Sequence, residues 1–358
     1  MFNSNYCDRK SWEEVVFLVE LMIYMSLSKR EQKLRLFDDN LMISVVIPVY
    51  NGEADLTDLI SCLKAQTYPV EKVEYLLVDN NSCDRTLAII QDAINYNKQD
   101  TSSTITIRSI IENKIQSSYA ARNQGIRAAK GEIIVFTDVD CRPESQWLEA
   151  LIQPFSNSIV GIVAGEILPL PGKTIWEKHA ALENTLSQKH TLSHAFCAYG
   201  QTANLAIRRQ IFGEIGLFRP YLTSGGDADL CWRILRETSY KLEFAESAIV
   251  RHRHRSSFKQ LQSQWRRYGE SNRYLHELYG VDLMRELSLG EYIYRLTRWL
   301  LKEVAIATPK VINRQANLVE LFNTPISLCN VWARSRGQKE AKLPEKAREI
   351  ELMRSPSS

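Results

Sequence analysis

Apolar residues in this chain gather in short runs, each followed by turn residues and then by a helical pattern. Ile43–Val49 is β-branched and nearly continuous, as a strand buried on both faces requires. Asp55–Gln66 has the period of a helix, Val73–Asp79 is the next strand, and Asp84–Tyr96 is a helix with Ser82 or Asp84 near its cap. Ile105–Ile110, Ser118–Ala129 and Ile133–Thr137 continue as strand, helix and strand. This alternation predicts an α/β class fold: a mainly parallel sheet flanked by helices on both faces. Such sheets bind ligands at the carboxyl ends of their strands, so chemistry is sought in the residues just after each strand.

The pattern divides the chain into regions. Residues 1–41 form an N-terminal extension with one helical segment, Trp12–Leu34, read either as dispensable or as a peripheral anchor. Residues 42–255 hold the alternating α/β unit. Residues 256–340 read as helices, among them Phe258–Tyr279 and Glu291–Ala307, both carrying Arg and Lys. Residues 341–358 are charged, end in Ser-Pro-Ser-Ser, and are expected to be disordered.

Composition narrows the function classes. A net charge of +3 over 358 residues is too small to make nucleic acid the main partner. The seven cysteines are scattered, with no C-x-x-C pair, which argues against a disulfide framework or zinc ribbon and fits a cytoplasmic protein. The longest apolar run near the start, Val15–Tyr24, is interrupted by Glu20 and is short of the roughly 20 residues that span a bilayer. The basic, partly amphipathic helices after residue 256 either pack on the α/β unit or rest on the inner face of a membrane.

Several segments after the strands carry chemistry. Pro48-Val49-Tyr50-Asn51-Gly52 and Val78-Asp79-Asn80-Asn81-Ser82 are strand-to-turn junctions, and the Asp79 carboxylate suits hydrogen bonds from a nucleobase or ribose. Thr137-Asp138-Val139-Asp140 places two carboxylates at i and i+2, on one side of an extended chain, where both can address a hard cation such as Mg²⁺ or Mn²⁺. Gly200–Asn204 is small and polar, suited to a close approach by a sugar or phosphate, which puts Asn204 on the acceptor and phosphate side. Gly225-Gly226-Asp227-Ala228-Asp229 opens a helix: one aspartate is expected to cap it and the other to face the pocket as a general base. Arg233, four residues after Asp229, is expected to pair with it. In Arg251-His252-Arg253-His254-Arg255 the histidines share one side. One His is a candidate metal ligand, and the arginines, Arg255 among them, suit phosphate oxygens.

Taken in order, these segments resemble the family 2 glycosyltransferases, which have the GT-A fold. The resemblance spans residues 42–275 and rests on Val45–Asn51, Val78–Ser82, Ala121–Gly125 with Phe136–Asp140, Thr202–Arg209, Gly226–Leu230 and His252. It implies that Pro48, Val49, Tyr50, Asn51 and Asp79 hold a uridine-like nucleoside and that Arg122 and Asp138 lie near the donor diphosphate or ribose. It implies a Mn²⁺ or Mg²⁺ ion on Asp140, Asp138 and His252, with Asp227 the catalytic base. Gly226-Asp227 stands where the family has Glu-Asp, so Asp229 is the alternative base. The Gln-x-x-Arg-Trp of processive synthases is replaced by Gln262-Ser263-Gln264-Trp265-Arg266. The implied activity is non-processive, inverting transfer from a nucleotide-sugar donor, of UDP type by preference, to a glycan, lipid-linked or small-molecule hydroxyl acceptor. Two other readings stand beside it. One is a catalytically inactive binding or scaffold module. The other is nucleotidyl transfer, disfavoured because Pro48–Glu53 carries no Lys or Arg.

Overall fold

The computed structural model describes residues 41–99, 105–315 and 317–353. The expected helix Trp12–Leu34 lies outside the described residues. In chain order the described elements begin with β1 (Ile43–Val49), α1 (Leu56–Lys64), β2 (Val73–Asp79), α2 (Thr86–Gln99), β3 (Thr106–Ile111), α3 (Ser118–Ala128) and β4 (Ile133–Thr137). They continue with β5 (Cys141–Pro143), α4 (Trp147–Ile152), β6 (Val160–Pro169), α5 (Ile175–Leu182), α6 (Gln188–Leu192), β7 (Asn204–Arg208) and α7 (Ile211–Ile215). The last are α8 (Gly226–Glu237), β8 (Lys241–His252), α9 (Phe258–Tyr279), α10 (Leu289–Arg298), α11 (Val304–Ile312) and α12 (Leu318–Glu340).

The strands form one sheet in the order β3-β2-β1-β4-β7-β6-β8-β5. The half expected from the pattern, β3-β2-β1-β4, is parallel throughout. Beyond it, β7 runs antiparallel to both β4 and β6, β8 is parallel to β6, and β5 is antiparallel to β8. β1 alternates between two cores. Ile43, Val45, Ile47 and Val49 pack against α1, α2 and α4, whereas Val46 meets α3, α7 and α8 on the other face. That double burial is why β1 lacks polar residues on either side, Ser44 excepted.

The expected helix Glu291–Ala307 is longer and includes a π turn, Trp299–Glu303, between α10 and α11. Arg298 and Glu303 pair at 2.8 Å across it, a five-residue spacing that matches the π repeat. α9 and α12 cross at two glycines. A Cβ on Gly269 would lie 1.9 Å from the Arg334 carbonyl oxygen, and one on Gly337 would lie 2.0 Å from that of Arg266.

The chain after α12 departs from expectation. Leu343 and Ala347 are buried in the core beside α7 and α8, Leu217 N–H donates to Glu351 O at 2.8 Å, and Arg219 Nη1 donates to Ala347 O at 2.9 Å. Residues 341–353 are therefore packed, because two apolar side chains and the Arg219 fork outweigh their charged composition. Among the described residues no helix is long and apolar enough to cross a membrane, and the described cysteines are free thiols.

Candidate active site

The parallel half of the sheet delivers its strand ends to one place. Val49 and Asp79 are register partners, and Asn80 N–H donates to Val49 O at 2.8 Å. The chain then turns at Asn51 and Asn81, whose φ angles of 48° and 63° are left-handed, a conformation Asn tolerates. Pro48 and Val49 are buried, whereas Tyr50 is 55% exposed. Asn51 Oδ1 accepts from Cys83 N–H at 2.9 Å, locking the two turns together. Asp79 is buried and accepts from Ser82 N–H at 3.3 Å through Oδ2, while Oδ1 has no partner. A buried, unspent carboxylate oxygen beside an exposed Tyr is a receptor for an N–H or O–H group.

The residues after β4 separate. Cys141 N–H donates to Asp138 O at 3.1 Å, so the segment is a turn and the expected i, i+2 alternation is lost. Asp138 is paired with Arg122 of α3 at 2.5 Å, and the buried Arg122 Nε has no partner. Asp140 faces instead towards the end of β8. Its Oδ1 lies 3.2 Å from His252 Nε2 and its Oδ2 lies 3.4 Å from Arg255 Nη1. Ligand atoms of Asp140, Cys141 and His252 lie within 4.8 Å of one another, and Asp138 is not among them. Burial opposes the charge on Asp140, but His252 and Arg255 hold its carboxyl well below the usual range. Burial likewise opposes charge on His252, and Asp140 raises its pKa nonetheless. Burial keeps the Cys141 thiol well above its ordinary value. The alternation expected in 251–255 is present: His252 and His254 are buried with ring centroids 6.2 Å apart, while Arg251 pairs with Glu144 and Arg253 with Asp55.

The two aspartates of α8 have different surroundings. Asp229 is 0% exposed and binds Arg219 at 2.8 Å, Arg233 at 3.0 Å and the Tyr279 hydroxyl at 2.6 Å. Asp227 lines a cavity of about 660 Å³ and accepts from the Thr202 amide and hydroxyl, both at 3.2 Å. Burial pushes the Asp227 carboxyl above the usual range and the Asp138 charge adds to this, while Arg122 and the Thr202 bonds pull the other way. Neither aspartate caps the helix through its side chain. The N-cap is Gly225, at φ 82°, and Gly226 N–H donates to the Tyr119 hydroxyl at 3.0 Å. A Cβ on Gly226 would sit 2.7 Å from that ring, so the glycine pair lets α8 begin beneath Tyr119.

Asn204 corrects an expectation. It is 0% exposed, its Nδ2 donates to Glu166 O and Ala248 O, and its Oδ1 accepts from Trp147 Nε1 at 2.7 Å. Every polar atom is spent bracing β6, β7, β8 and α4, so none reaches the acceptor or phosphate side. The amide that does reach the site from this stretch is that of Thr202. The sequence reading also passed over Tyr119, Trp265 and Tyr268, which line the cavity with Asp227. Tyr119 stands just before the Ala121–Gly125 motif of α3, and Trp265 and Tyr268 lie on α9, where no motif marked a site.

The family model described as Glycosyl transferase family 2 matches residues 44–220, and that described as Glycosyl transferase family group 2 matches residues 133–323. Glycosyltransferase AglE of Haloferax volcanii is 33% identical over 253 residues, covering 70% of this chain and 79% of that protein. The pre-mycofactocin glycosyltransferase of Mycobacterium tuberculosis is 27% identical over 223 residues, 61% of this chain but only 44% of that protein. Among solved structures, the mannosyltransferase PcManGT from Pyrobaculum calidifontis, in complex with GDP-Man and Mn²⁺, superposes with a TM-score of 0.56 at 14% identity, over 92% of this chain and 99% of that one. The chain belongs to the family 2 glycosyltransferases, has their GT-A-like fold and is a transferase enzyme.

Proposed function

We propose that this glycosyltransferase moves a sugar, with inversion, from a nucleoside diphosphate sugar to a hydroxyl group of an acceptor bound in the 660 Å³ cavity. The observation that carries the reading is Asp227. Its carboxylate borders the cavity, is steadied by Thr202 and has a raised proton affinity, as a general base requires. Asp229 is fully engaged by two arginines and a tyrosine, which supports Asp227 over it. Asp227 takes the acceptor proton as the hydroxyl oxygen attacks the anomeric carbon and the nucleoside diphosphate departs. A positioned base of this kind contributes about 10²–10⁴-fold.

On the donor side, the free Asp79 Oδ1 suits the N–H of a pyrimidine or a ribose hydroxyl, and Tyr50 offers a ring for the base to stack on. A UDP-type donor is the preferred reading. The unspent Arg122 Nε and the Arg255 guanidinium, beside Asp140, suit diphosphate oxygens. Asp140 and His252 fit a cation. Their ligand atoms converge, Asp140 stays ionised, and His252 leaves a buried Nδ1 without a partner. The protonated Cys141 thiol suits a hard ion poorly. Asp140 and His252 would hold Mn²⁺ or Mg²⁺, which when bound supplies Lewis-acid charge for the leaving diphosphate.

A peripheral membrane contact belongs to the same reading. Leu289, Leu301 and Ile312 are 77%, 73% and 73% exposed, in a segment that also carries Arg295, Lys302 and Lys310. Apolar side chains flanked by cations suit an anionic lipid surface. Co-sedimentation with phosphatidylglycerol vesicles, reduced by Leu300→Asp with Leu301→Asp, is the expected outcome. Binding unchanged by that pair would remove the contact.

The donor reading is tested by thermal shift with UDP, GDP and dTDP, with and without Mn²⁺, on wild type and Asp140→Ala. Metal-dependent stabilisation by one nucleotide, lost in Asp140→Ala, is expected. No stabilisation by any of them would favour a binding module without turnover.

A further inference from the structure

The cavity beside Asp227 has a second wall, made by α9 and α12, that neither proton transfer nor donor binding uses. Trp265 and Tyr268 come from α9, and Asn330 and Arg334 from α12. The close crossing at Gly269 and Gly337 brings these two helices together, and the Arg334 guanidinium lies 5.9 Å from the centre of the Trp265 ring.

This wall carries unspent polar groups. Arg334 is half-buried, and among the described residues no carboxylate or carbonyl receives its guanidinium. Three other arginines of the same helices are paired: Arg266 with Glu340 at 2.7 Å, Arg273 with Glu277 at 2.8 Å, and Arg336 with Glu340 at 2.6 Å. Burial lowers the pKa of Arg334, so its charge is partly stripped of water without a counter-ion in return. Trp265 Nε1 is buried with no acceptor. Asn330 is 2% exposed, with its Nδ2 3.2 Å from His179 Nε2 and its Oδ1 without a donor. A buried polar atom left unpaired is costly, so several on residues that line one cavity mark a place where a ligand completes the bonding.

The chemistry of the missing partner follows from what is unspent. Trp265 asks for an acceptor, Asn330 Oδ1 for a hydroxyl, and Arg334 for an anion. The Trp265 and Tyr268 rings, 5.5 Å apart and nearly perpendicular at 77°, offer apolar faces for a sugar ring. The carboxylates in the lining are Asp227, which Thr202 holds, and Glu183, which accepts from Asn323 at 3.0 Å. Neither is bonded to Arg334, so its charge is available to a ligand.

We infer that the α9–α12 wall is an acceptor-recognition site for an anionic sugar, with Arg334 receiving the phosphate or carboxylate and Trp265, Tyr268 and Asn330 the sugar ring. The inference rests on the glycosyltransferase reading for its role as acceptor site, and on the cavity alone for its anion preference. An anionic substituent at Arg334 would leave a sugar hydroxyl free to be presented to Asp227 in the same cavity.

The test uses the full-length protein with UDP and Mn²⁺ present, so that the donor side is occupied. Intrinsic tryptophan fluorescence is titrated with glucose 1-phosphate, glucuronate, glucose and inorganic phosphate. Trp265→Phe identifies the reporting ring. The expected result is a saturable change with a sugar phosphate or a sugar carboxylate, at least about tenfold tighter than with glucose, equivalent to about 1.4 kcal/mol. The phosphate and carboxylate arms say which anion is preferred. Arg334→Gln removes the preference, Arg334→Lys keeps part of it, and Arg336→Gln leaves it intact. Equal response to glucose and to its anionic forms, no saturation with either anionic sugar, or an unchanged preference in a folded Arg334→Gln protein overturns the inference. Failure of UDP to bind wild type would count against the UDP-type donor reading, while an anion preference in that protein would still support the site.

Discussion

Asp227 and Asp229 are two residues apart, and their exchange for asparagine should have opposite consequences. In Asp229→Asn the volume is preserved but the charge that holds two buried guanidiniums is lost. Arg219 and Arg233, 2.8 and 3.0 Å away, would face a neutral amide, and the Tyr279 hydroxyl would keep at most one bond. Breaking a buried pair by removing one partner costs about 3–5 kcal/mol. Total stability is only about 5–15 kcal/mol, so the melting temperature should fall on the order of 10 °C. Asp227→Asn should cost less than about 1 kcal/mol, because the amide oxygen can still accept from Thr202 and the site already disfavours the charge. Its turnover should drop about 10²–10⁴-fold. The assay is thermal denaturation followed by far-UV circular dichroism, paired with release of nucleoside diphosphate from whichever donor the nucleotide screen selects. An Asp229→Asn protein as stable as wild type, or an Asp227→Asn protein that turns over normally, would refute the division of labour.

Because burial raises the Asp227 pKa and Arg122 lowers it, turnover should fall as pH drops through a value above that of an ordinary carboxyl, and Arg122→Gln should move that limb to higher pH. A pH profile of kcat with an unmoved limb would contradict this. Burial, then His252 and Arg255, bring the His254 pKa down to about 4, against about 6.5 in the unfolded chain. The unfolded state therefore takes up the proton first as pH falls. Stability is complete above about 6.5 and is lost towards pH 4, on the order of 3 kcal/mol in all, so thermal melts of His254→Gln should be less acid-sensitive in that window. Gly337→Ala puts a methyl 2.0 Å from the Arg266 carbonyl and should destabilise by about 1–3 kcal/mol through forced separation of α9 and α12; an unchanged denaturation midpoint would sink that account.

The parallel half of the sheet was legible because β1, β2 and β4 are buried on both faces and read as largely apolar runs, while β3, at the edge, is carried by its isoleucines. β6, β7 and β8 were not assigned as strands. β8 in particular mixes exposed and buried positions and merges into the His-Arg segment without a turn signal. Asp138 and Asp140 were legible as carboxylates but not in direction, since a turn at 138–141 breaks the alternation that had put both on one cation. His252 was legible from its neighbours, and the register that sets it beside Cys141 was not. Asn204 misled because polar residues in a stretch of small and polar side chains look the same whether they face a ligand or satisfy three neighbouring segments. The wall formed by α9 and α12 left no trace in the sequence, because helices far apart in the chain meet there through a glycine crossing and through pairs such as Arg266 with Glu340, which no sequence spacing encodes.

β5 is three residues long and lies at the sheet edge, paired only with the end of β8, where Cys141 stands opposite His252. So short an edge ladder is the part of a sheet that frays first. Asp140 sits at one side of this ladder and His252 at the other, so an ion held by both would act as a latch on an otherwise weak seam. Its occupancy would then be readable without any substrate. Amide exchange at Cys141, Arg142 and Arg251 should slow when the ion is bound, while the central strands β1 and β4 keep the same protection in either state.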